Sequence, residues 1–366
     1  MSEARGAEAG GAEPGAAEPL RIGLLGASRI AELAVTEATR ETGDIRAAVA
    51  ARDPERARAY AAEHGYDGTR ESYEALVADD TLDLIYIGLP NGLHAEWTVR
   101  ALEAGRNVLV EKPFAANLAE FDAVAAQLET SAGWAWEAFH YADHPLMSRL
   151  IEVVRGSGGN GGSDSSGRDG ASGGGEIGEL REMQVSMCMP APPETDPRWS
   201  FDLAGGALMD LGCYALNGLL TLGDALGLPL SLRAAEADPS EADQRVDATV
   251  RALLSLGDVP VSLRASMVNP VWDFSFTVVG SRGGVHAPNF VKPQEDDRLI
   301  VRTGSEEREE RLGTVSSYTY QLQNIAAELR NGLRSREVLD RSRRTMELID
   351  EVYAASGMPL RPGRLG

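Results

Sequence analysis

Lysine is nearly absent from this chain of 366 residues. Only Lys112 and Lys292 occur among the thirty-five basic residues, and the other thirty-three are arginine. Basic residues as a class are also outnumbered, since fifty-six acidic residues leave a formal net charge of -21. Such a balance opposes binding to nucleic acid and to anionic membrane surfaces, so neither is expected as a partner.

Cysteine is scarce too, and histidine shows no metal-binding pattern. Cys188 and Cys213 are the only cysteines, too few for a disulfide framework, and both are expected to be reduced in a cytoplasmic protein. His140 and His144 stand four positions apart, but neither has a Glu or Cys partner at a recognised metal-ligand spacing. No metal site is therefore expected.

Long apolar runs are the third absence. No stretch approaches the roughly 20 residues that cross a bilayer, so no membrane span is expected. Residues 1–19 are mostly Ala, Gly, Glu and Pro, which argues against a secretory signal and predicts a disordered tail. Residues 156–175 are rich in Gly and Ser and are predicted to be a flexible insertion in a surface loop, with a linker between domains as the alternative.

The remaining sequence has an ordinary globular composition, 43% hydrophobic and 25% charged, and its length favours two domains. In residues 20–140, short apolar runs alternate with amphipathic helical stretches, which is typical of βαβ units and a parallel sheet. Asp53 before Pro54 marks the start of one of these helices. The strands are predicted at residues 20–25, 45–51, 82–87, 108–110 and 134–139.

The pattern changes in residues 141–366, where short turns join strand-like runs and predict a mostly antiparallel sheet. These strands are predicted at residues 180–189, 246–256, 259–267, 274–279 and 299–302. Helices are predicted at residues 206–222, 318–330 and 341–355.

A glycine-rich turn follows the first predicted strand. Gly26, Ser28 and Ala31 occupy the G-x-G-x-x-G/A positions, with Arg29 and Ile30 between them. Such a turn lets backbone amides and a helix N-terminus approach a pyrophosphate. Ser28 replaces the usual second glycine, but a small hydroxyl side chain still permits close approach and adds a hydrogen-bonding group. A dinucleotide site is therefore expected at Gly26, Ser28, Arg29 and Ile30.

The second predicted strand ends near Arg52, where an acidic residue would bind the adenosine ribose of NAD. Arginine pairs with a 2′-phosphate and stacks on adenine, so Arg52 predicts NADP as cofactor. NAD is the alternative if Asp53 reaches the ribose instead. Pro90 and Asn91 follow the third strand and Glu111 follows the fourth, where a cofactor passes the carboxyl ends of the strands.

Lys112 stands at the end of the fourth predicted strand. In a chain so rich in arginine, a lysine in this position indicates a site that needs a compact ammonium group able to exchange a proton. The alternative is that its position is accidental.

Five motifs together resemble the Gfo/Idh/MocA oxidoreductase family, and the resemblance covers nearly everything beyond the tail. Tyr rather than His at position 214 is similar to the branch that contains glucose-fructose oxidoreductase, dihydrodiol dehydrogenase and NADP-dependent xylose dehydrogenase. The motifs are residues 26–31, 89–94 (Leu-Pro-Asn-Gly-Leu-His), 111–114 (Glu-Lys-Pro-Phe), 137–139 (Glu-Ala-Phe) and 205–214 (Gly-Gly-Ala-Leu-Met-Asp-Leu-Gly-Cys-Tyr).

The resemblance implies an α/β fold, with an N-terminal Rossmann doubly wound parallel sheet and a C-terminal α/β domain that has a large, mostly antiparallel open sheet. It implies nicotinamide-dependent oxidation or reduction of a sugar, polyol or trans-dihydrodiol. It also implies a homo-oligomer, either a dimer or a dimer of dimers. His94 is expected to support the cofactor loop, with a purely structural role as the alternative.

The residues themselves suggest a mechanism. Asp210 and Tyr214 are four apart on a predicted helix and so share a face. Oxidation of a carbinol needs a base, and a phenol is a poor base unless a nearby cation stabilises phenolate. We hypothesise that Lys112 hydrogen-bonds the reacting oxygen and lowers the pKa of Tyr214, which shuttles the proton while Asp210 orients the substrate. Whether Lys112 or Tyr214 finally takes the proton stays open, and a structural Tyr-Asp pair is the alternative.

Some features leave the substrate and even the function open. The family branch commonly has an arginine near Ala142 and Asp143, so a relative's substrate does not transfer directly. Trp199 is interpreted as a sugar platform or as packing. A redox-neutral sugar enzyme with tightly bound NAD(P) and a non-catalytic nucleotide sensor are alternative functions, the sensor being disfavoured because it needs no proton-transfer set.

Overall fold

The computed structural model describes residues 18–155 and 175–365, and its first half forms a five-stranded parallel sheet. The strand order is β2-β1-β3-β4-β5, so the chain leaves β1 to one side for β2 and returns to its other side for β3. A crevice for a ligand forms at such a reversal, outside the carboxyl ends of the strands. The strands are β1 (Arg21–Leu25), β2 (Ile45–Ala50), β3 (Leu84–Ile87), β4 (Val108–Val110) and β5 (Ala135–Glu137).

Helices join these strands, as the alternating pattern predicts. Because they cover the sheet, every residue of β3, β4 and β5 is buried. Asp53 begins one helix by accepting a hydrogen bond from the amide of Glu55, with Pro54 in the first turn. The helical segments are Arg29–Ala31, Glu32–Glu37 (a π-helix), Ala38–Thr42, Pro54–His64, Tyr73–Val77, Asn91–Leu93 (a 3₁₀ turn), His94–Glu103 and Leu118–Leu128.

The second half forms an eight-stranded sheet in the order β13-β12-β11-β10-β6-β9-β8-β7. All neighbouring strands are antiparallel except β6 and β9. The strands are β6 (Leu180–Cys188), β7 (Leu230–Pro239), β8 (Asp247–Leu256), β9 (Val259–Ser266), β10 (Phe276–Gly280), β11 (Gly283–Ala287), β12 (Arg298–Thr303) and β13 (Glu306–Arg311).

Two long helices join the halves. The helix Arg336–Ser356 contacts β7 and the helix Cys213–Leu226, and it also reaches Leu118–Leu128 in the first half. The helix Ser317–Asn331 contacts the turn His140–Asp143. The other helical segments of this half are Pro145–Arg155, Pro197–Trp199 and Phe201–Leu203 (both 3₁₀), and Leu208–Gly212 (a π-helix).

The C-terminal segment after residue 357 supports the start of the π-helix. Arg361 is fully buried, pairs with buried Asp247 and donates to the carbonyl oxygen of Gly205. Asp247 in turn accepts the amide of Leu208 at 2.7 Å. The guanidinium of Arg361 also lies 4.1 Å from the ring centroid of Tyr353. The buried ion pair between Arg361 and Asp247 therefore holds the backbone at the start of the π-helix.

The predicted fold class is confirmed, and each predicted strand and helix has a counterpart with small differences at its ends. Three strands were not predicted: β7, β11 and β13. The last helix begins at Arg336 rather than at residue 341, and the helix predicted at 206–222 is divided between Leu208–Gly212 and Cys213–Leu226. The predicted tail and the predicted insertion lie outside the described residues, apart from residues 18, 19 and 175.

One expectation about apolar segments needs correction. The helical stretch Phe201–Leu226 is long and apolar enough by composition to cross a membrane. However, 89% of its apolar window is buried inside the protein. This is the environment of a core helix, and the buried side chains of Cys213–Leu226 account for its apolar composition.

Candidate functional site

One cavity of about 770 Å³ runs from the carboxyl ends of β1 and β3 to the π-helix of the second half. Its lining includes all twelve residues that the sequence assigned to cofactor binding or catalysis. These are Gly26, Ser28, Arg29, Ile30, Arg52, Pro90, Asn91, His94, Glu111, Lys112, Asp210 and Tyr214.

The turn after β1 has the geometry that close approach of a ligand requires. Gly26 has a φ of 96°, a left-handed conformation that favours glycine. A Cβ at this position would lie 2.9 Å from the carbonyl oxygen of Gly88 and 2.8 Å from the Leu89 side chain. The amide of Gly26 donates to the carbonyl oxygen of Ala50, which ties the turn to the end of β2.

Ser28 supplies an unpaired polar atom at the same turn. Its hydroxyl oxygen is buried and has no hydrogen-bond partner among the described residues. Ser28 also precedes the helical segment that starts at Arg29, without capping it through its side chain. A buried hydroxyl that lacks a partner beside a helix start fits a pyrophosphate, which offers acceptor oxygens at this place.

Three arginines surround this end of the cavity. Arg52 and Arg29 are exposed, and Arg56 donates to the carbonyl oxygen of Ala27 at 2.6 Å. The carboxylate of Asp53 instead caps a helix through the amide of Glu55. The residues thus fit a phosphate better than a ribose hydroxyl at the end of β2, and Arg56 is a basic residue that the sequence did not single out.

The loop after β3 connects the two halves of the chain. The Asn91 side chain donates to the carbonyl oxygen of Ala204 at 3.0 Å. The two ring nitrogens of buried His94 each lie 2.7 Å from a carbonyl oxygen, those of Leu89 and Pro113. Burial lowers the pKa of His94 to about 4, so the neutral ring donates to only one of them. His94 therefore braces the cofactor loop against the residue that follows Lys112.

Glu111 is buried behind Lys112. Its carboxylate accepts the hydroxyl of Tyr86 and the backbone amide of Lys112. Burial raises the pKa of Glu111, which Lys112 and Tyr86 only partly oppose. The Glu111 carboxylate therefore has hydrogen-bond partners within the protein at the end of β4 and does not depend on a ligand for them.

Lys112 reaches across the cavity to the π-helix. Its ammonium lies 2.7 Å from the backbone carbonyl oxygen of Asp210 and 3.2 Å from the carboxylate of the same residue. Burial alone would lower the pKa of Lys112, but its neighbours, Asp210 above all, outweigh burial and raise the pKa. The side chain is therefore a protonated ammonium at neutral pH.

Asp210 is held by two cations. Lys112 contacts one carboxylate oxygen and Arg198 donates to the other at 2.6 Å. Burial opposes ionisation, yet these cations lower the pKa of Asp210 to about 2. Arg198 also pairs with Asp196, whose carboxylate lies 3.6 Å from Arg29 on the cofactor side. A chain of ion pairs among residues that line the cavity therefore runs from Arg29 to Lys112.

Tyr214 is buried beside these charges, but the hypothesis that Lys112 lowers its pKa is wrong for this arrangement. The ammonium of Lys112 lies over the Tyr214 ring, 4.8 Å from the centroid, and its hydrogen bonds go to Asp210. Burial raises the pKa of Tyr214 well above its usual value, and the neighbouring Tyr318 and Glu111 add to that effect. The phenol is therefore protonated in this structure.

The structure adds site residues that the sequence did not single out for this role. His140 lies 3.2 Å from the Tyr214 hydroxyl and stacks on Tyr318, with ring centroids 3.8 Å apart. Trp272 and Lys292 line the far end of the same cavity, with the Lys292 ammonium 5.6 Å from the Trp272 ring centroid. The scarcity of lysine that drew attention to Lys112 was a signal for Lys292 as well, because both lysines of the chain line this cavity.

Three other residues are placed away from the chemistry. Trp199 does not line the cavity and donates its indole N–H to the carbonyl oxygen of Pro192. Asp143 accepts from Asn324 and lies outside the cavity as well. His144 contacts the carbonyl oxygen of Gly313, so it does not form a pair with His140. Packing is thus the interpretation of Trp199 that the contacts favour.

Comparison with known families gives two matches along the chain. Residues 20–138 match the family described as the oxidoreductase family with an NAD-binding Rossmann fold. Residues 173–286 match the GFO/IDH/MocA C-terminal domain.

Two named relatives match over most of their length. The chain is 31% identical over 340 residues to D-xylose 1-dehydrogenase (NADP(+)) 2 of Haloferax volcanii, covering 92% of this chain and 97% of that protein. It is also 31% identical over 303 residues to a dTDP-3,4-didehydro-2,6-dideoxy-alpha-D-glucose 3-reductase of Streptomyces violaceoruber, covering 79% and 80%.

The fold is similar to solved structures. The 3-ketoreductase KijD10 from Actinomadura kijaniata, solved with NADP and TDP-benzene, superposes with a TM-score of 0.79 at 26% identity, covering 92% of this chain and 98% of that one. Aldose-aldose oxidoreductase from Caulobacter crescentus shares the fold with a TM-score of 0.77 at 21% identity, covering 93% and 98%.

Proposed function

The chain belongs to the Gfo/Idh/MocA oxidoreductase family, and from this we propose that it is an NADP-dependent enzyme that transfers hydride to or from a hydroxyl-bearing carbon of a sugar or related polyol. The observation that carries the proposal is the convergence of Lys112, Asp210 and Tyr214 in the cavity that begins at Gly26. A non-catalytic sensor has no need of a buried ammonium and phenol beside the cofactor turn.

The cofactor end supports NADP over NAD. Arg52 and Arg56 line the cavity beyond β2, where an arginine can pair with a 2′-phosphate. Asp53, the candidate for a ribose hydroxyl, already caps a helix. The amides of the Gly26 turn and the Ser28 hydroxyl would hold the pyrophosphate.

The reacting end supports acid–base chemistry on a carbinol or carbonyl. Bound nicotinamide supplies or accepts the hydride. The Lys112 ammonium, held by Asp210, donates to the reacting oxygen and stabilises negative charge on it. Asp210 keeps Lys112 protonated and in place, and the Tyr214 phenol exchanges the proton.

The part of the cavity lined by Trp272 and Lys292 suits a cyclic ligand that carries several hydroxyl groups. Trp272 lines the cavity and is 59% exposed, with Lys292 above its ring. An aromatic face beside a cation suits the apolar face and the oxygens of a sugar. Trp272, rather than Trp199, is the sugar platform in this proposal.

The exposed side of the second sheet supports a homo-oligomer. Leu253 in the middle of β8 is 58% exposed, and a concave region of about 400 Å³ around it is also lined by Gln184, Arg251 and Arg264. Light scattering of the purified protein tests this proposal, since a mass equal to one chain would contradict it.

The test of function is the reduction of NADP and of NAD by the purified protein with pentoses, hexoses and cyclic trans-diols. Turnover with NADP and one class of sugar is expected. Failure with every member, together with cofactor that stays bound through purification, would replace the proposal with a redox-neutral enzyme. Failure with every member and no binding of NADP(H) would overturn the proposal altogether.

A further inference from the structure

His140 lies directly behind the phenol of Tyr214. It is buried, its Nε2 lies 3.2 Å from the Tyr214 hydroxyl, and its Nδ1 lies 2.8 Å from the hydroxyl of Ser317. Stacking on Tyr318 holds the plane of the ring. The imidazole therefore joins Tyr214 to Ser317, although 177 positions separate His140 from Ser317 in the sequence.

The direction of these hydrogen bonds follows from Gln294. The backbone amide of Ser317 donates to the side-chain oxygen of Gln294 at 3.4 Å, which identifies that atom as an acceptor. The Ser317 hydroxyl donates to the same oxygen at 3.1 Å. Since the single hydroxyl proton is used there, the Ser317 oxygen accepts from His140, and Nδ1 carries the ring proton.

The other ring nitrogen is then an acceptor. Burial lowers the pKa of His140 well below its usual value, and the positive charges of Lys112 and Lys292 lower it further, so the resting ring is neutral. A neutral ring protonated at Nδ1 has a lone pair at Nε2. The Tyr214 hydroxyl must donate to it, which leaves the lone pairs of the phenol oxygen for a substrate.

We propose that His140 is the positioning residue that takes the phenol proton of Tyr214 when Tyr214 accepts a proton from the substrate hydroxyl. This inference rests on the proposed function. In the oxidation direction, the O–H bond of the carbinol breaks and its proton forms a new O–H bond at Tyr214, while the original phenol proton passes to Nε2. The carbinol loses a hydride from carbon to NADP, which is reduced, and becomes a carbonyl.

The charges in the site decide which group can take the proton. Lys112 is a protonated ammonium and cannot take a further proton, so it stabilises the reacting oxygen but does not act as the base. Burial and the charges of Lys112 and Lys292 oppose an imidazolium at His140, so the imidazolium forms only as the cavity loses the positive charge of oxidised NADP. It donates through Nδ1 to Ser317 as before, and Ser317 and Gln294 play the orienting part that a third residue plays in a catalytic triad.

Nitrogen NMR tests the direction of the hydrogen bonds without any need for turnover. The chain has five histidines, so ¹⁵N-histidine labelling gives a small set of ring signals, and the set lost in His140→Gln identifies His140. A ring protonated at Nδ1, with Nε2 unprotonated, is expected in the protein as purified. Protonation at Nε2 alone would overturn the proposal even if the enzyme oxidises sugars.

Kinetics tests the proton transfer itself. Gln at position 140 can accept a hydrogen bond from Tyr214 but cannot take its proton, so His140→Gln is expected to lower kcat about 100-fold or more. In the wild type, the rate of hydride transfer is measured in mixtures of H₂O and D₂O. Its dependence on the fraction of deuterium should be the one expected when two protons move in the same step. An unchanged kcat in His140→Gln, or a response to a single proton in the wild type, would overturn the proposal. Absence of sugar turnover in the wild type would overturn the function, while NMR would still decide the hydrogen-bond direction.

Discussion

The ammonium of Lys112 lies 2.7 Å from the backbone carbonyl oxygen of Asp210, and the carboxylate of Asp210 lies 3.2 Å from the same nitrogen. The contact joins the end of β4 to the π-helix Leu208–Gly212. π-Helical turns occur frequently at functional sites. Here the π-helix presents both a carbonyl and a carboxylate of one residue to a single cation.

Replacement of Lys112 by Met should abolish turnover, with kcat reduced at least 100-fold, because the reacting oxygen loses its ammonium donor. Asp210 keeps Arg198 as a partner, so the protein should remain folded. NADPH binding, measured by the fluorescence of the nicotinamide, should be largely retained. Arg181→Met, at an exposed arginine away from the cavity, is the control and should keep kcat near the wild-type value, and near-normal turnover of Lys112→Met would remove Lys112 from the chemistry.

Replacement of Arg52 by Ala should weaken the use of NADP selectively. Loss of one charged contact to a phosphate, worth about 1.5 to 3 kcal/mol, corresponds to a rise in KM for NADP of roughly 10-fold or more. The KM for NAD should change little because NAD has no 2′-phosphate. Arg181→Ala, an exposed arginine away from the cavity, is the control, and an equal effect of Arg52→Ala on both cofactors would contradict phosphate binding.

Replacement of Trp272 by Ala should raise the KM for the sugar with little effect on the KM for NADP. An aromatic contact worth about 0.5 to 1.5 kcal/mol predicts a rise of roughly 2- to 12-fold. Trp272→Phe should recover much of the loss because it keeps a ring face. A KM for the sugar that stays at the wild-type value in Trp272→Ala would show that the substrate contacts another part of the cavity.

Removal of the buried guanidinium of Arg361 should destabilise the whole protein. Asp247 would be left without a cation in the interior, a situation that costs about 3 to 5 kcal/mol. Urea unfolding of Arg361→Met measures this cost. Arg302→Met removes an arginine that is 64% exposed from its pair with Glu307, which is 55% exposed, and it should cost less than about 1 kcal/mol. If the two variants lose similar amounts of free energy of unfolding, burial does not make the Arg361–Asp247 pair more important for stability than an exposed pair.

The sequence was sufficient for those parts of the fold whose signals are local. Apolar runs such as 84–87 and 108–110, and the cap formed by Asp53, are visible without the tertiary structure. β13 was missed because its six residues, Glu306–Arg311, are all charged and the strand pairs only with β12 at the edge of the sheet. β7 is the opposite edge, and seven of its ten positions carry small, polar or charged side chains that give no apolar run.

The site residues that lie in short sequence motifs could be predicted from the sequence. Gly26, Lys112 and Asp210 lie in short patterns at strand ends or on a helix, so their residue types and spacing were informative. The contact between His140 and Ser317 depends on how the helix Ser317–Asn331 packs against the turn His140–Asp143. The pKa of Tyr214 likewise depends on burial, which no spacing of residues reveals.

Glu137 predicts how stability depends on pH. It is buried at the end of β5, where one carboxylate oxygen accepts the amide of Phe114 at 2.7 Å, and Lys112, Glu111 and Ser342 are its other neighbours. Burial raises its pKa from 4.5 to about 7. The folded state therefore favours the protonated acid, and this contribution is fully present below about pH 4.5 and is lost as the pH rises through 7.

In Glu137→Gln this titration is removed. Between pH 5 and pH 8, the free energy of unfolding of the wild type should fall relative to the variant by about 2 to 3 kcal/mol. Urea unfolding of both proteins at the two pH values measures the difference, and Asp143, whose pKa burial also raises to about 7, titrates in both and cancels. If the two proteins lose the same stability between pH 5 and pH 8, Glu137 is ionised in the folded protein throughout that range. The ammonium of Lys112 would then have two buried carboxylates near it besides Asp210, those of Glu111 and Glu137, instead of Glu111 alone.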